Sequence, residues 1–591
     1  MKIGIPLSLL LAMLISVLIA HAQNPTTVSV TVAPGPAGSA LALSVAPGGR
    51  YLQNGSGSPF LIAGDAAMAL FQALPLTGLS SGDASANATF YFSTRSSQGI
   101  NAVWATAVCS TYSACTSNNS QTFDGLVPFN GTISSCGSTI PDCWDMTTVG
   151  QGHTANYWAR MDAMINLAAQ YGIVIFLNPV TTGGCGNEVS GYNNPLWPML
   201  TENRSISNAG VTNTSAFGEF LGNRYKSFPN IVWLHGDDYI CNGKGGGSPA
   251  ADDLPVMDIM NGIAAAGDTH PQTIELWSLP PSSSFDNVDF IPPNGKSNVN
   301  GVYTYNPTYV ETLHAWNQAT APALLLEANY EWGNILGYEP NDPHCAYPGR
   351  AADRISEAIP HWMARLLRLL PDSACEYEYT LRKEFYDATL AGATAGYING
   401  TTQIASSGFC LYPSTCTPGT GWTKYMSSPG FVNFGYWKSL LLSLPWWVLT
   451  PDQNNNYVTG GRGTAYSGSA SCTINSHANC FTPDNYVTAS SYSTSSASGL
   501  VAYIPCYATT AKYGCTGTGG LTVAMNQLGA NPTARWYDPT AGTFTTICSP
   551  SGTPCSGSSQ TFTPTGVNGA GDPDWVLVVS GQAVSPHPPH E

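Results

Sequence analysis

Two short apolar runs in this chain end abruptly in carboxylates: Asn230-Ile-Val-Trp-Leu-His-Gly-Asp-Asp238 and Leu324-Leu-Leu-Glu-Ala-Asn-Tyr-Glu331. A single strand that ends in an acid is common. Two of them, about 90 residues apart and separated by alternating helix-like and strand-like segments, suggest one acid on strand four and one on strand seven of a (β/α)8 barrel. Catalytic residues of such barrels sit at the C-terminal ends of the strands. Two carboxylates facing each other there are the usual equipment for cleaving a glycosidic bond.

The elements that would position these acids are legible as recurring apolar runs. Phe60–Ala63 reads as a first strand ending at Gly64-Asp65, Asn101–Ala107 as the second, Ile173–Leu177 as the third and Ile231–Leu234 as the fourth. Thr273–Trp277, Gly301–Tyr305 and Ala323–Leu326 fit strands five to seven, and Ala391–Ile398 fits the eighth, though its alanines and glycines could continue a helix. Between strands two and three, Trp158, Met161, Ile165, Leu167 and Ala168 recur at helical spacing. Alternating strands and helices argue for a parallel sheet with covering helices. Eight repeats favour closure into a TIM barrel over an open doubly wound sheet. Long Cys-, Gly- and Ser-rich loops, Cys109–Thr148 and Ile240–Pro255, carry the extra length; loops of that size usually shape a binding site or are disordered.

After Pro451-Asp-Gln the helix signal vanishes. Short β-type runs follow between turn residues: Gly499–Ile504, Leu521–Met525, Ala534–Tyr537, Phe544–Ile547 and Trp575–Val579. The expected organisation is a signal peptide over 1–22, a linker over 23–46, a barrel over 47–453, an all-β sandwich over 454–580 and a disordered tail over 581–591.

Met1-Lys2, an apolar run to Ile19 and Ala20-His21-Ala22 have the order of a secretory signal; the alternative is a membrane anchor. No later run reaches the roughly 18 apolar residues that a spanning helix needs, so no membrane span is expected once the signal is cleaved. Sixteen cysteines agree with an oxidising, secreted or periplasmic setting. Close pairs such as Cys109/Cys115, Cys410/Cys416 and Cys548/Cys555 would staple loops. No Cys-x-x-Cys occurs and no histidine pair stands at zinc-like spacing, so structural disulfides are preferred over a metal, and no cofactor is implied. Only 9% of residues are charged and the net charge is −16. Nucleic acid is therefore an unsuitable partner, since phosphate binding needs clustered Lys and Arg, whereas a neutral polysaccharide or oligosaccharide suits such a surface.

Around the two acids stand further candidates, each with a plainer alternative. Asp65 could bind a sugar hydroxyl or cap the following helix. Tyr305 could hydrogen-bond Glu327 from strand six or pack in the core. Trp104, Trp277 and Trp332 could be platforms for sugar C–H faces or core residues. His235 reads as a packed neutral histidine. A His-Glu-x-x-His is lacking, and Gly243-Lys244-Gly-Gly-Gly247 lacks the Lys-Ser/Thr of a phosphate loop.

The unit Phe217–Asp238 resembles the strand-four region of the large retaining glycosidase clan built on (β/α)8 barrels. That clan's strand reads Asn-Ile-x-Trp-x-x-Asn-Glu; here Gly236 replaces the Asn and Asp237 the Glu. The departure bears on the usual contact to the sugar 2-hydroxyl and shortens the acid by one methylene. Gly64-Asp65-Ala-Ala with Leu70-Phe71, Ser282-Ser-Ser-Phe285, Glu327-Ala-Asn-Tyr-Glu331 and Pro445-Trp446-Trp447 with Pro451-Asp452-Gln453 resemble, more narrowly, the apiosidase-like glycoside hydrolases. Ala534-Arg-Trp-Tyr-Asp-Pro-Thr-Ala-Gly542 and Asp574-Trp-Val-Leu577 resemble the C-terminal domain of those proteins, often labelled collagen-binding. The resemblance covers roughly 47–580 and leaves out the Cys-rich loops. It implies a general acid/base at Asp237, with Asp238 as the neighbouring alternative, and a nucleophile at Glu327, with Glu331 as its rival. Asp237 could instead be a loop cap and Glu327 a buried structural ion pair. A non-catalytic glycan- or collagen-binding protein on a degenerate barrel is the second reading; retention of both strand-end carboxylates favours the enzyme.

Overall fold

The computed structural model describes residues 40–77, 87–113, 115, 120–129, 149–183, 207–208, 211–239, 241, 247–277, 283–304, 307–331, 377–401, 422–427, 429–466, 485–509, 517–555 and 557–582. The expected signal peptide, most of the linker and nearly all of the tail lie outside the described residues. Among the described residues no helix is long and apolar enough to cross a membrane.

Eight parallel strands form one sheet: β1 (Ile62–Ala66), β2 (Ala102–Val108), β3 (Val174–Val180), β4 (Ile231–Tyr239), β5 (Gln272–Leu276), β6 (Asn300–Val302), β7 (Ala323–Glu331) and β8 (Gly396–Thr401). Their spatial order is β5-β4-β3-β2-β1-β8-β7-β6, so each strand lies beside its sequence neighbours and β8 pairs β1. Among the described residues the ring is left open only between β5 and β6. There the backbone oxygen of Gln272 accepts from the amides of Asn298 (2.9 Å) and Val299 (3.2 Å). Ser284 spans the rest of the seam: its Oγ accepts from the Gly301 amide at 2.8 Å and donates to the Ile274 carbonyl at 2.6 Å. The serine-rich motif noted in the sequence thus closes the barrel.

Continuous apolar runs are what a strand buried on both faces requires. Successive side chains point to opposite faces, and β4 shows the result. Val232 and Leu234 join the interior cluster with Ile62, Trp104, Phe176, Leu324 and Leu326. Ile231 and Trp233 pack outward with Trp158 and Phe217 of the surrounding helices. Helices α1 (Ala88–Ser97), α2 (Gly152–Gln170), α3 (Asn213–Tyr225), α4 (Leu254–Ala265), α5 (Thr308–Gln318), α6 (Tyr377–Leu390) and α7 (Pro429–Leu442) supply that layer. The eighth strand starts later than its composition suggests. Ala391–Ala395 follows the end of α6 as a turn, with Gly392 and Gly396 both at positive φ.

The C-terminal part is antiparallel. Strands β9 (Thr450–Pro451), β11 (Thr488–Ser493), β12 (Ala497–Ile504), β17 (Trp575–Gln582), β14 (Ala530–Asp538) and β15 (Thr543–Cys548) form a six-stranded sheet in that order. A smaller sheet holds β10 (Val458–Gly460), β13 (Leu521–Val523) and β16 (Gln560–Phe562). Val458, Leu500, Leu521, Trp536, Phe562 and Leu577 fill the space between them. The outer face of the large sheet packs on α6 and α7: Tyr386 stacks on Tyr503 at 4.9 Å, and Trp446 joins the same buried cluster. Across this contact Arg382, fully buried, is paired with Asp572 and Asp574.

Candidate active site

The β4–β5 ladder is regular up to the pair His235↔Ile274, and the next pair is Tyr239↔Leu276. Four steps along β4 match two along β5, so β4 bulges by two residues at its C-terminal end, where Gly236, Asp237 and Asp238 lie. All three have positive φ, at 99°, 86° and 57°. The left-handed region disfavours any side chain, and at Gly236 space forbids one: an added Cβ would stand 2.2 Å from the Glu275 carbonyl oxygen. That close approach accounts for glycine where the clan pattern has asparagine.

The bulge is held from both sides. The Gly236 carbonyl accepts from the Thr182 amide (3.1 Å), Thr182 Oγ1 (2.7 Å) and Asn178 Nδ2 (3.3 Å). The Asp237 carbonyl accepts from the Gly183 amide at 3.0 Å. On the other side the Asp238 amide donates to Glu275 Oε2 at 2.9 Å.

Asp237 itself is 4% exposed. Its Oδ2 accepts a hydrogen bond from Ser113 Oγ, which stands 2.5 Å from Thr181 Oγ1. Burial pushes the carboxyl up to about 7; the Ser113 hydrogen bond opposes the rise, the Asp238 charge adds to it and the Thr181 hydroxyl opposes it. A carboxyl present in both protonation states near neutral pH can give a proton in one step and take one in the next.

Strand seven repeats the device. Its ladder with β8 runs regularly to Leu326↔Ile398 and resumes at Tyr330↔Gly400. Again four steps match two, and Glu327 is the first residue of the excess. The backbone of Glu327–Glu331 is described; the side chains of Glu327 and Glu331, and all of Tyr305 and Trp332, lie outside the described residues. Both acids therefore stand on two-residue bulges at the C-terminal end of one parallel barrel.

The remaining candidates occupy different surroundings. Asp65 is fully buried, and its Oδ2 accepts from Tyr91 Oη (2.6 Å) and Arg95 Nε (2.7 Å) on α1. Trp104 is fully buried in the barrel interior. Trp277 follows β5 at its C-terminal end and is half-buried. His235 turns away from the mouth to Gln272 Oε1, 3.0 Å away, and burial holds its ring down at about 4, so it is neutral. Among the described residues no group of three His, Cys, Asp or Glu converges as a metal site would require. Ser113, Thr181 and Glu275 are not legible as site residues in the sequence. The one signal toward Ser113 is its place between Cys109 and Cys115, directly after strand two.

Residues 46–448 match the family model described as the apiosidase-like catalytic domain. Residues 504–580 match one described as "Putative collagen-binding domain of a collagenase". Curated proteins yield no match. A solved structure described as a glycoside hydrolase aligns with a TM-score of 0.60 at 17% identity, over 93% of this chain and 98% of its own. A glycoside hydrolase family 5 structure from Bacteroides vulgatus ATCC 8482 aligns with a TM-score of 0.60 at 18% identity, over 93% and 94%. At such identities the structural likeness bears on the fold, and the family match covers the barrel that carries both acids.

Proposed function

We propose, for a glycoside hydrolase that belongs to the apiosidase-like family, that this chain is exported and removes a terminal sugar from a polysaccharide with retention of configuration. The observation that carries the reading is the matched pair of bulges, each lifting one acid off the end of β4 or β7. In the first step the Glu327 carboxylate attacks the anomeric carbon while Asp237 gives its proton to the departing glycosidic oxygen, and the C–O bond breaks. In the second, Asp237 takes a proton from water, whose oxygen attacks the anomeric carbon and releases Glu327. A retaining pair needs its carboxyls about 5 Å apart. The near-neutral Asp237 supports its acid/base role, because one group must be protonated first and ionised later. The resemblance to apiosidases supports an apiose-type terminal sugar, and the described disulfides, with the Met1–Ala22 pattern, support a secreted or periplasmic enzyme.

A panel of 4-nitrophenyl glycosides that includes the apiofuranoside, together with pectic and other branched polysaccharides, tests the substrate. Two variants test the roles. Glu327→Ala should lose turnover on every substrate, with azide restoring some cleavage as the inverted glycosyl azide. Asp237→Ala should still attack aryl glycosides with acidic phenols and then stall, giving a burst followed by slow turnover. If Asp238→Ala rather than Asp237→Ala loses activity on natural glycan, the acid is the neighbour. An active preparation indifferent to all three substitutions refutes the mechanism.

A further inference from the structure

We propose that Ser113, held in place by the Cys109–Cys115 disulfide, is a positioning residue that fixes the Asp237 carboxyl for delivering and accepting the catalytic proton. The inference rests on the reading of Asp237 as acid/base and adds to it a loop outside the motifs of the family resemblance.

The loop starts where strand two ends. Val108 closes β2, Cys109 follows it, and the bridge to Cys115 encloses a single helical turn, Thr111–Ser113. Both cysteines and Ser113 are buried, the serine at 2% exposure. The turn is tied down at its base. The Ser110 carbonyl accepts from the amides of Ser113 (3.1 Å) and Cys115 (3.0 Å). The Cys109 amide donates to Ser120 Oγ at 2.9 Å, and that hydroxyl meets Gln72 Nε2 at 3.0 Å and Tyr157 Oη at 2.8 Å. The Val108 carbonyl accepts from the Thr181 amide at 3.0 Å, which joins the loop to the end of β3. A cross-linked turn whose Ser113 is buried and hydrogen-bonded holds that hydroxyl in one place.

Counting protons constrains the two hydroxyls. A serine hydroxyl has one hydrogen to donate. Given to Asp237 Oδ2, it is unavailable to Thr181, so the Thr181 hydroxyl, 2.5 Å from Ser113 Oγ, gives its hydrogen to Ser113 or to the carboxyl itself. Among the described residues the charged groups near the carboxyl are Asp238 on the same strand and Glu275 on β5, which is bonded to the Asp238 amide; the loop and the end of β3 bring the hydroxyls of Ser113, Thr181 and Thr182 and the amide of Asn178. Hydrogen bonds to the ionised form favour it, so Ser113 opposes the rise caused by burial and keeps the carboxyl able to release its proton.

The test reads Asp237 directly and needs no substrate. The full-length protein is labelled with 13Cγ-aspartate, and the Asp237 resonance is assigned by its loss in Asp237→Asn. Ser113→Ala should raise its titration midpoint by about one pH unit, since a hydrogen bond to a charged group is lost. Ser113→Thr, which keeps the hydroxyl, should restore it. Cys109→Ala/Cys115→Ala should move it in the same direction as Ser113→Ala, and Thr181→Val, which removes the second hydroxyl at this carboxyl, should raise it as well. The basic limb of kcat/KM on the 4-nitrophenyl glycoside should follow the same shifts. A midpoint unmoved in folded Ser113→Ala overturns the proposal, and one unmoved only in the double cysteine variant overturns the part given to the disulfide. Asp237→Asn with undiminished activity on glycan, beside an intact Ser113 shift, would instead refute the acid/base reading and leave the coupling standing.

Discussion

Replacing Asp237 by asparagine should separate stability from activity, with a size that follows from burial. The carboxyl titrates at about 7 in the folded protein, against about 3.9 in the unfolded chain. A folded-state value raised in this way gives a stabilisation that is complete below the unfolded value and is lost as pH rises through the folded one. Between about pH 4 and 7 the unfolded chain releases this proton while the folded protein keeps it, at a cost of roughly 1.4 kcal/mol per pH unit. From pH 5 to pH 8 the loss attributable to Asp237 is about 2–3 kcal/mol. Asparagine has nearly the same shape, can still accept from Ser113 and does not titrate, so it escapes this loss. For a barrel of about 400 residues the unfolding entropy is roughly 0.8 kcal/mol/K. The variant's melting temperature relative to the wild type should therefore rise by about 3 °C between pH 5 and pH 8. Scanning calorimetry of both proteins at several pH values reads this difference, and turnover of natural glycan, measured on the same samples, should be lost in the variant. A melting-temperature difference that stays flat across this range would show that Asp237 does not titrate there and would refute the argument from burial.

Gly236→Ala places a methyl group against the Glu275 carbonyl at a positive φ; strain of about 1–3 kcal/mol is expected before the clash is counted, seen as a lower melting temperature and a large loss of kcat. Ser284→Ala removes the seam between β5 and β6 and leaves the Gly301 amide and the Ile274 carbonyl without that hydroxyl, which should destabilise by about 1–3 kcal/mol with activity per folded molecule largely kept. Arg382→Ala strands Asp572 and Asp574 in a buried contact; a loss of about 3–5 kcal/mol is expected, and urea titration followed by tryptophan fluorescence checks it. A chain ending at Gln453 uncovers the apolar face around Tyr386 and Trp446. Light scattering should show it aggregating more readily, while its soluble fraction still turns over the aryl glycoside.

What could be read from the sequence, and what could not, divides by range. An apolar run buried on both faces announces itself residue by residue, so seven of the eight strands fall where continuous hydrophobicity places them. Strand eight is the exception, because Ala391–Ala395 is apolar enough for a strand yet is bent into a turn by glycines that composition does not distinguish. The strand-end acids are legible for a related reason: a carboxylate after such a run needs some explanation. The bulges are not legible, since a bulge is a mismatch between two strands and neither strand records its partner's length. Ser113 is further from view. It meets Asp237 across 124 residues, through a disulfide-closed turn that resembles any other loop in composition. Asp65 shows the same limit from the other side: a strand-end acid by sequence, it is held by Tyr91 and Arg95, residues one helical turn apart on α1 whose inward face only packing reveals.

The two bulges suggest why an acid can be poised at such a site without spoiling the barrel. A regular ladder would fix the direction of each side chain by alternation and tie its backbone to the next strand. Two extra residues release both constraints at the last turn of the strand, at the cost of positive φ at Gly236, Asp237 and Asp238. That cost is bearable only where the neighbours over-determine the conformation. Here they do, for the Gly236 carbonyl takes three hydrogen bonds from the end of β3, and the Asp238 amide is held by Glu275 on β5. The strain, the glycine and the flanking donors are thus parts of one arrangement. Loosening any of them should let Asp237 move by a fraction of an ångström, a displacement that matters where reacting atoms must meet at about 3 Å. On this argument the residues that decide catalysis at β4 include several that never touch the sugar, and the substitutions at Gly236 and Ser113 are the ones that distinguish a poised acid from a merely buried one.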